Sequence, residues 1–235
     1  MSSLHRTSSR AAFTMVELLA AVAIIAILAS LLFPLVANMR EKSQAAKCLS
    51  NLRQIGLGLA GYAADNDGYN PAMLDENNKN WDQAAIYPYL PPRLNANGTE
   101  RQNLAFVCPS ARFGSFGNSD LSRTYSSTES LIGKDANGND DWQVRTKKIN
   151  YAKLSATLML FDGKQDGSNR YSRSVVSWNL VSGAGDLSAN ENASTTYVVY
   201  RHDKAFNGLF ADGHAETIKR RNVANSVTAS MWRGR

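Results

Sequence analysis

The stretch RHDKAFNGLFADGHAETI sets nine residues between His202 and the Asp212-Gly213 pair, with His214 immediately after. Imidazole and carboxylate groups hold zinc-class metals and move protons near neutral pH. Carried on two adjacent strands, His202, Asp212 and His214 are candidates to converge. The plainer expectation is that His202 packs at a hairpin base while Asp212 serves the turn. The remaining histidine, His5, lies near the N-terminus. Neither G-x-S-x-G nor H-E-x-x-H occurs, so no nucleophile elbow or metalloprotease helix is legible. No catalytic residue and no enzymatic activity are expected.

The segment KDANGNDDW puts Asp135, Asn137, Asn139 and Asp141 at alternate positions, as oxygen ligands stand at the front of a calcium loop. The twelfth position is Thr146 rather than Glu, and the glycine is displaced. The match is partial, and a plain polar loop without calcium is the expectation. Asp65, Asp67 and Asp162 carry less of a signal still. Gly167, Gly183 and Gly185 make no phosphate-cradling pattern, so no cofactor is expected. Two cysteines, Cys48 and Cys108, are present. Neither stands in a CxxC pair, which argues against structural zinc. In a translocated domain two cysteines more often pair, and a Cys48–Cys108 disulfide is expected, the alternative being two buried free thiols.

These groups need a scaffold. Leu49, Leu52, Ile55, Leu59 and Tyr62 recur at helical spacing, opposite Lys42, Lys47, Arg53 and Gln54. That pattern predicts an amphipathic helix laid on a globular body. Gly56, Gly58 and Gly61 weaken the helix intrinsically but permit close approach by a sheet or another helix. Asp65-Asn66-Asp67-Gly68 and Pro71 end it. Short strands are expected at 105–108, 157–161, 173–178, 196–201, 207–211 and 214–218, the last two joined by an Asp212-Gly213 hairpin turn. Residues 110–147 and 163–195, rich in Gly, Ser, Asn and Asp, read as long exposed loops. The formal charge is +6 and the pI near 9.4, yet no dense Lys/Arg block is interleaved with aromatics. The nearest is Lys219-Arg220-Arg221, with Arg233 and Arg235 in the tail. This is a mildly basic solvated surface, and no nucleic-acid partner is expected.

From 13 to 36 the chain is apolar apart from Glu17. A helix of that length covers about 36 Å, enough for a hydrocarbon core of about 30 Å. A charge at the centre of a membrane helix costs roughly 2.5–3.5 kcal/mol, so Glu17 requires a partner. Residues 1–12 carry Arg6 and Arg10 and no acid. By the positive-inside rule that end stays in the cytoplasm and the C-terminal body crosses. The run exceeds the apolar region of a cleaved secretory signal, about 7–15 residues, and nothing like A-x-A follows Pro34. A plain anchor explains the length and leaves Glu17 unexplained.

A short basic leader, the small residue Ala12, then Phe13-Thr14-Met15-Val16-Glu17 and an apolar helix closely resemble the class III signal of type IV pilin-like proteins and type II secretion pseudopilins. The resemblance implies that a membrane aspartyl peptidase, prepilin peptidase, cuts between Ala12 and Phe13 and that the new amine is N-methylated. Glu17 then becomes the fifth residue of the mature chain and Pro34 the twenty-second. In that family the carboxylate commonly pairs with the amine of a neighbouring subunit, which implies assembly roles for Phe13 and Glu17. A buried carboxylate is tolerable beside such a charge. Pro34 removes one backbone hydrogen bond and weakens the helix locally, letting the stalk bend in a fibre. Ala12 departs from the usual Gly. At the other end, His202, Asp212 and Gly213 resemble the H-X9-DG motif of a large prepilin-like family. CLSNLRQIGLGLAGYAADNDGYNP, YPYLPP, FVCPS and LMLFDG match it too.

The expected fold is α+β and pilin-like, a long transmembrane-plus-stalk helix packed on a small, mostly antiparallel β-sheet domain with long loops. The expected divisions are a leader at 1–12, a transmembrane assembly helix at 13–36, a stalk helix at 37–64 and a β-rich head at 65–235. The expected function is a structural subunit of a type II secretion pseudopilus or type IV pilus-like fibre. The chain would cross the inner membrane once, N-terminus cytoplasmic and head periplasmic, or reach the cell surface in a fibre. Its partners would be copies of itself or other pilins, prepilin peptidase, the inner-membrane assembly platform and membrane lipid. The alternative is a membrane-anchored glycan- or ligand-binding module using Trp81, Trp142, Trp178 and Trp232, for which core packing is the plainer role.

Overall fold

A computed structural model describes residues 14–74, 81, 85–91, 93–94, 100–101, 104–111, 124–147, 150–163, 175–176, 198–219 and 233–234. The leader with Ala12 and Phe13, the Pro34 side chain, Trp178, Trp232, Arg220, Arg221 and Arg235 lie outside the described residues. The chain divides into two compact units, 1–41 and 42–235. Residues 42–64 of the expected stalk therefore fold with the head.

One helix, α1 (Met15–Asp65), contributes to both units. In the first, its large apolar side chains are exposed, Leu18, Leu19, Ile24, Ile25, Leu28 and Phe33 among them. Among the described residues this is the helix long and apolar enough to cross a membrane. It is continuous across position 34. One missing N–H there does not end a helix flanked on both sides by strong helix formers.

In the second unit the apolar stripe is buried as its spacing requires. Cys48, Leu52, Ile55 and Leu59 are in the core, and Leu49 and Tyr62 pack at its margin. The helix stops where the polar run begins. Asn66 Nδ2 donates to Tyr62 O at 2.8 Å, and the Gly68 N–H donates to Ala63 O at 2.8 Å. Gly68 has φ +79, the left-handed conformation that closes a helix end and that a β-carbon disfavours.

Two small ribbons are formed by β1 (Arg93–Leu94) with β2 (Glu100–Arg101) and, beyond β3 (Tyr125–Thr128), by β4 (Gly133–Lys134) with β5 (Asp140–Asp141). The main sheet unites β3 with β6 (Leu158–Asp162), β7 (Val175–Val176), β8 (Ala205–Phe210) and β9 (Ala215–Lys219), in the order β7-β3-β6-β8-β9. All neighbours are antiparallel except β7 beside β3. The central strand β6 is buried along its whole length, which is why it reads as an unbroken apolar run rather than an alternating one. Leu160, Leu209 and Ala215 join the core that holds the α1 stripe. Gly56 lets Leu209 Cδ1 come within 2.9 Å of where a β-carbon would stand. Phe161, Phe206 and Tyr200 form a second, edge-to-face aromatic group.

The architecture is the α+β, pilin-like arrangement expected, with local differences. Residues 105–108 are not a strand. Leu104–Phe106 is a 3-10 turn, and the segment meets the start of β3 through Thr124: Thr124 N donates to Phe106 O at 2.9 Å, and Cys108 N to Thr124 Oγ1 at 2.7 Å. Within 196–201, Val198 forms only an isolated bridge to Gly163; residues 196–197 lie outside the described set. The stretch 110–147 was expected to be exposed, yet β3 within it is wholly buried. Its composition concealed it. Hydroxyl-rich YSST becomes core because Ser127 donates to Met73 Sδ, and Thr128 and, just after the strand, Ser130 donate to Leu158 O. These hydroxyls are thereby satisfied, while that of Ser126 is buried without a hydrogen-bond partner among the described residues. Of the expected loop 163–195, Gly163 and β7 are described.

In β4, a β-carbon on Gly133 would collide with the backbone carbonyl of Val144, which also accepts the Gly133 N–H at 3.1 Å. Gly133→Ala should destabilise the head by about 1–3 kcal/mol, read as a lower urea midpoint. An unchanged midpoint would contradict this packing.

Candidate functional site

Two places bear most directly on function. The first is the start of α1. Glu17 Oε2 accepts the Thr14 N–H at 3.0 Å and the Thr14 hydroxyl at 2.8 Å. Thr14 Oγ1 in turn accepts the Glu17 N–H at 3.2 Å. This is a capping box, in which two otherwise unpaired helix-end donors are satisfied reciprocally. A carboxylate in the first turn also complements the helix dipole. Thr14 was not singled out from sequence, although T-x-x-E ahead of an apolar run is the signal for it.

The second place is the seam between α1 and the main sheet. Cys48 on α1 and Cys108 are joined, with S–S 2.06 Å and Cα–Cα 4.9 Å. The bond closes a separation of 60 residues, which by chain entropy contributes roughly 4 kcal/mol. Cys108 sits in the turn after Leu104–Phe106, so the clip joins helix to loop rather than helix to strand. That turn is further held by Asn51 Nδ2, which donates to Val107 O at 2.8 Å. Beside the disulfide lies His202, buried, its Nε2 3.5 Å from Cys108 Sγ and 3.2 Å from Asp162 Oδ2. A carboxylate only accepts, so Nε2–H donates to Asp162. Nδ1 meets no hydrogen-bond partner among the described residues, and the ring is oriented through Nε2.

Asp162 ends β6 and is fully buried. Its Oδ2 accepts the Asn207 N–H at 2.8 Å, and its Oδ1 lies 3.6 Å from Arg201 Nη1. Arg201 also donates to Gly163 O at 2.7 Å and Thr124 O at 3.4 Å. His202 reaches this pocket because the chain reverses at once behind it. His202 and Ala205 exchange both backbone hydrogen bonds at 3.1 Å, and Asp203 and Lys204 between them have φ +50 and +58. This tight turn launches β8. Asp162, given little weight from sequence, is the group that organises the seam. Its address at the end of LMLFD, where an apolar strand ends in an acid, was the available clue.

Asp212 and His214 do not join His202. They occupy the far end of β8, about 20 Å away along six strand residues. Asp212 Oδ1 accepts the His214 N–H at 3.1 Å and contacts His214 Nδ1. His214 stacks on Phe210 with centroids 4.3 Å apart, and Gly213 has φ +95. These residues build the β8–β9 hairpin turn. Asp135 and Asp141 likewise serve separate turns. Asp135 Oδ1 accepts the N–H groups of Asn137 at 2.9 Å and Asn139 at 2.7 Å, while Asp141 Oδ1 accepts that of Gln143 at 2.8 Å. Trp81 is core, packed edge-to-face on Phe106, and Trp142 is half-exposed.

Residues 7–33 match the prokaryotic N-terminal methylation motif. The match takes in the end of the leader with Arg10, then Ala12, Phe13 and Glu17, and supports a pilin-like protein processed by prepilin peptidase and anchored by its apolar helix. It does not reach His202 or Asp212. No curated protein and no solved structure matches the chain.

Asp162→Ala should destabilise the head by about 3–5 kcal/mol, because it leaves the nearly buried Arg201 charge without its anion; a chemical denaturation curve measures this. Acid should act on the turns. The Asn139 N–H, aided by Asn137, holds the Asp135 carboxyl below its ordinary 3.8. Burial raises that of Asp212, but hydrogen bonds from the His214 backbone and ring outweigh it and hold it below 3.8 as well. Depressed folded values mean the unfolded chain binds these protons first, so this stability is full above pH 3.8 and lost as pH falls through the folded values. Asp135→Asn should flatten part of that acid limb in thermal melts. An identical pH profile would show that the Asp135 carboxylate contributes nothing.

Proposed function

We propose that the chain is a pilin-like structural subunit. It is made as a precursor, cut between Ala12 and Phe13, and assembled as a pseudopilin or minor pilin into a type II secretion pseudopilus or type IV pilus-like fibre. The observation that carries this reading is the methylation motif at 7–33, which leads into an exposed apolar helix with Glu17 its one ionisable residue up to position 36. In lipid the capping box stabilises the Glu17 carboxylate by hydrogen bonding but leaves its charge uncompensated. The amine exposed at Phe13 of a neighbouring subunit is a cation able to offset it. The arginines at 6 and 10 favour a cytoplasmic N-terminus, with the disulfide-clipped head on the oxidising side. The head then serves assembly and surface display, which agrees with Asp212, His214 and Asp135 being used in turns.

Breaking a buried ion pair costs about 3–5 kcal/mol. Glu17→Ala should therefore fall out of the sheared fibre fraction by about two orders of magnitude or more, while its head keeps the disulfide and circular dichroism of the wild type. Mass spectrometry of the native N-terminal peptide should find N-methylated Phe13 as the first residue. Intact Met1 would instead indicate a simple anchor, and a Glu17→Ala chain that polymerises like the wild type would overturn the assembly role of Glu17.

A further inference from the structure

The seam holds more ligand chemistry than a disulfide uses. Among the described residues, Cys48, Cys108 and His202 present ligand atoms that all lie within 4.8 Å of one another, and Asp162 Oδ2 is 3.2 Å from His202 Nε2. We infer that, in its dithiol form, the chain holds one zinc-class divalent cation through Cys48 Sγ, Cys108 Sγ, His202 Nε2 and the Asp162 carboxylate. The site is closed, structural and interchangeable with the disulfide.

The distances argue for it. In a tetrahedral zinc site, bonds of about 2.3 Å to sulfur and 2.0–2.1 Å to nitrogen or oxygen place adjacent ligand atoms roughly 3.3–3.8 Å apart. The Nε2–Sγ separation of 3.5 Å and the Nε2–Oδ2 separation of 3.2 Å are near that spacing already. Only the two sulfurs, joined to each other as a disulfide, must move apart, and reduction releases them to do so. Two thiolates, one imidazole and one carboxylate are soft enough to select zinc over magnesium or calcium. The charges close as well. Two thiolates and Asp162 oppose the cation and Arg201, leaving the buried cluster neutral. Part of the outer shell is in place, since the Asn207 N–H binds Asp162 Oδ2 and the Thr124 hydroxyl oxygen accepts the Cys108 N–H. The proton that Nε2 gives up on binding moves to Nδ1, which meets no protein partner among the described residues and is left to water. Cys48, Cys108 and Asp162 are fully buried, so no open coordination position for a substrate is provided.

The chemistry balances. When the cation binds the nascent dithiol, two S–H bonds break, two metal–sulfur bonds form and two protons leave, while the ring proton of His202 passes by exchange with water from Nε2 to Nδ1 so that the Nε2 lone pair binds the cation. When a disulfide oxidant arrives, it accepts two electrons from the two thiolates. The Cys48–Cys108 bond forms, both metal–sulfur bonds break, the cation departs, and the oxidant leaves as its dithiol after taking two protons from water. Either staple ties α1 to the 104–111 turn, so the head can fold before it is oxidised. Sequence spacing hid this site because its ligands come from four separate segments rather than a CxxC pair.

The test uses the full chain in detergent, reduced anaerobically with a phosphine, which becomes phosphine oxide with oxygen from water, and then titrated with Co²⁺. One Co²⁺ per chain is expected, with tetrahedral ligand-field bands and thiolate-to-cobalt charge transfer that Zn²⁺ bleaches. The disulfide form should show neither. His202→Ala and Asp162→Asn should weaken binding about tenfold or more. Absence of tetrahedral cobalt in the reduced wild type, or a reduced His202→Ala chain that binds equally tightly, overturns the proposal. Should the variants fail to fold, zinc-edge X-ray absorption of the reduced wild type decides. Two sulfurs with nitrogen and oxygen support the site; an all-sulfur or sulfur-free shell refutes it.

Discussion

The carboxylate of Asp162 is the interaction on which the head depends. It is fully buried, and an unpaired charge in that position would be prohibitive. Three partners from one stretch of chain make it tolerable: the Asn207 N–H, the His202 ring and the Arg201 guanidinium. Because Arg201 reaches on to Gly163 O and Thr124 O, one ionic cluster fixes the ends of β6 and β3 and the turn that starts β8. His202 carries the same cluster to the disulfide, and the disulfide carries it to α1. Breaking a buried pair is costly chiefly because the surviving charge cannot leave, so these elements hold their places together.

The helix faces a different constraint at each end. From Leu18 to Val36 its described large side chains are exposed, a surface suited to lipid or to other apolar helices. From Cys48 to Leu59 the same 3.6-residue repeat presents a stripe to the sheet. The change of role needs no break in the backbone, only a change in which faces are apolar. Gly56 adds the shape, letting Leu209 approach the helix closely.

The residues with the most conspicuous chemistry turned out to have unequal roles. Asp212, His214, Asp135 and Asp141 hold turns within a few residues of themselves. Such local side-chain to backbone bonds form wherever Asp or Asn meets a reversing chain. His202 differs because its partners lie far off in sequence, at Cys108 and Asp162. Spacing to Asp212 therefore said little about what His202 touches.

Sequence by itself determined whatever depends on periodicity and local chemistry. The apolar run with its lone Glu17, the buried stripe of Leu52, Ile55 and Leu59, the helix stop at Gly68 and the Asp212-Gly213 hairpin were all legible, since each is decided by neighbours within a turn or two. The pairing of Cys48 with Cys108 followed from there being only two cysteines in a chain whose body was expected to cross a membrane. Tertiary structure alone decided that YSST is a core strand, because the Thr128 and Ser127 hydroxyls become buriable only when Leu158 O and Met73 Sδ come to meet them. It alone decided that Asp162, Arg201, His202 and the cysteines share one pocket. Buried charges are set by long-range complementarity, and no local pattern encodes a partner that the fold must bring from a hundred residues away.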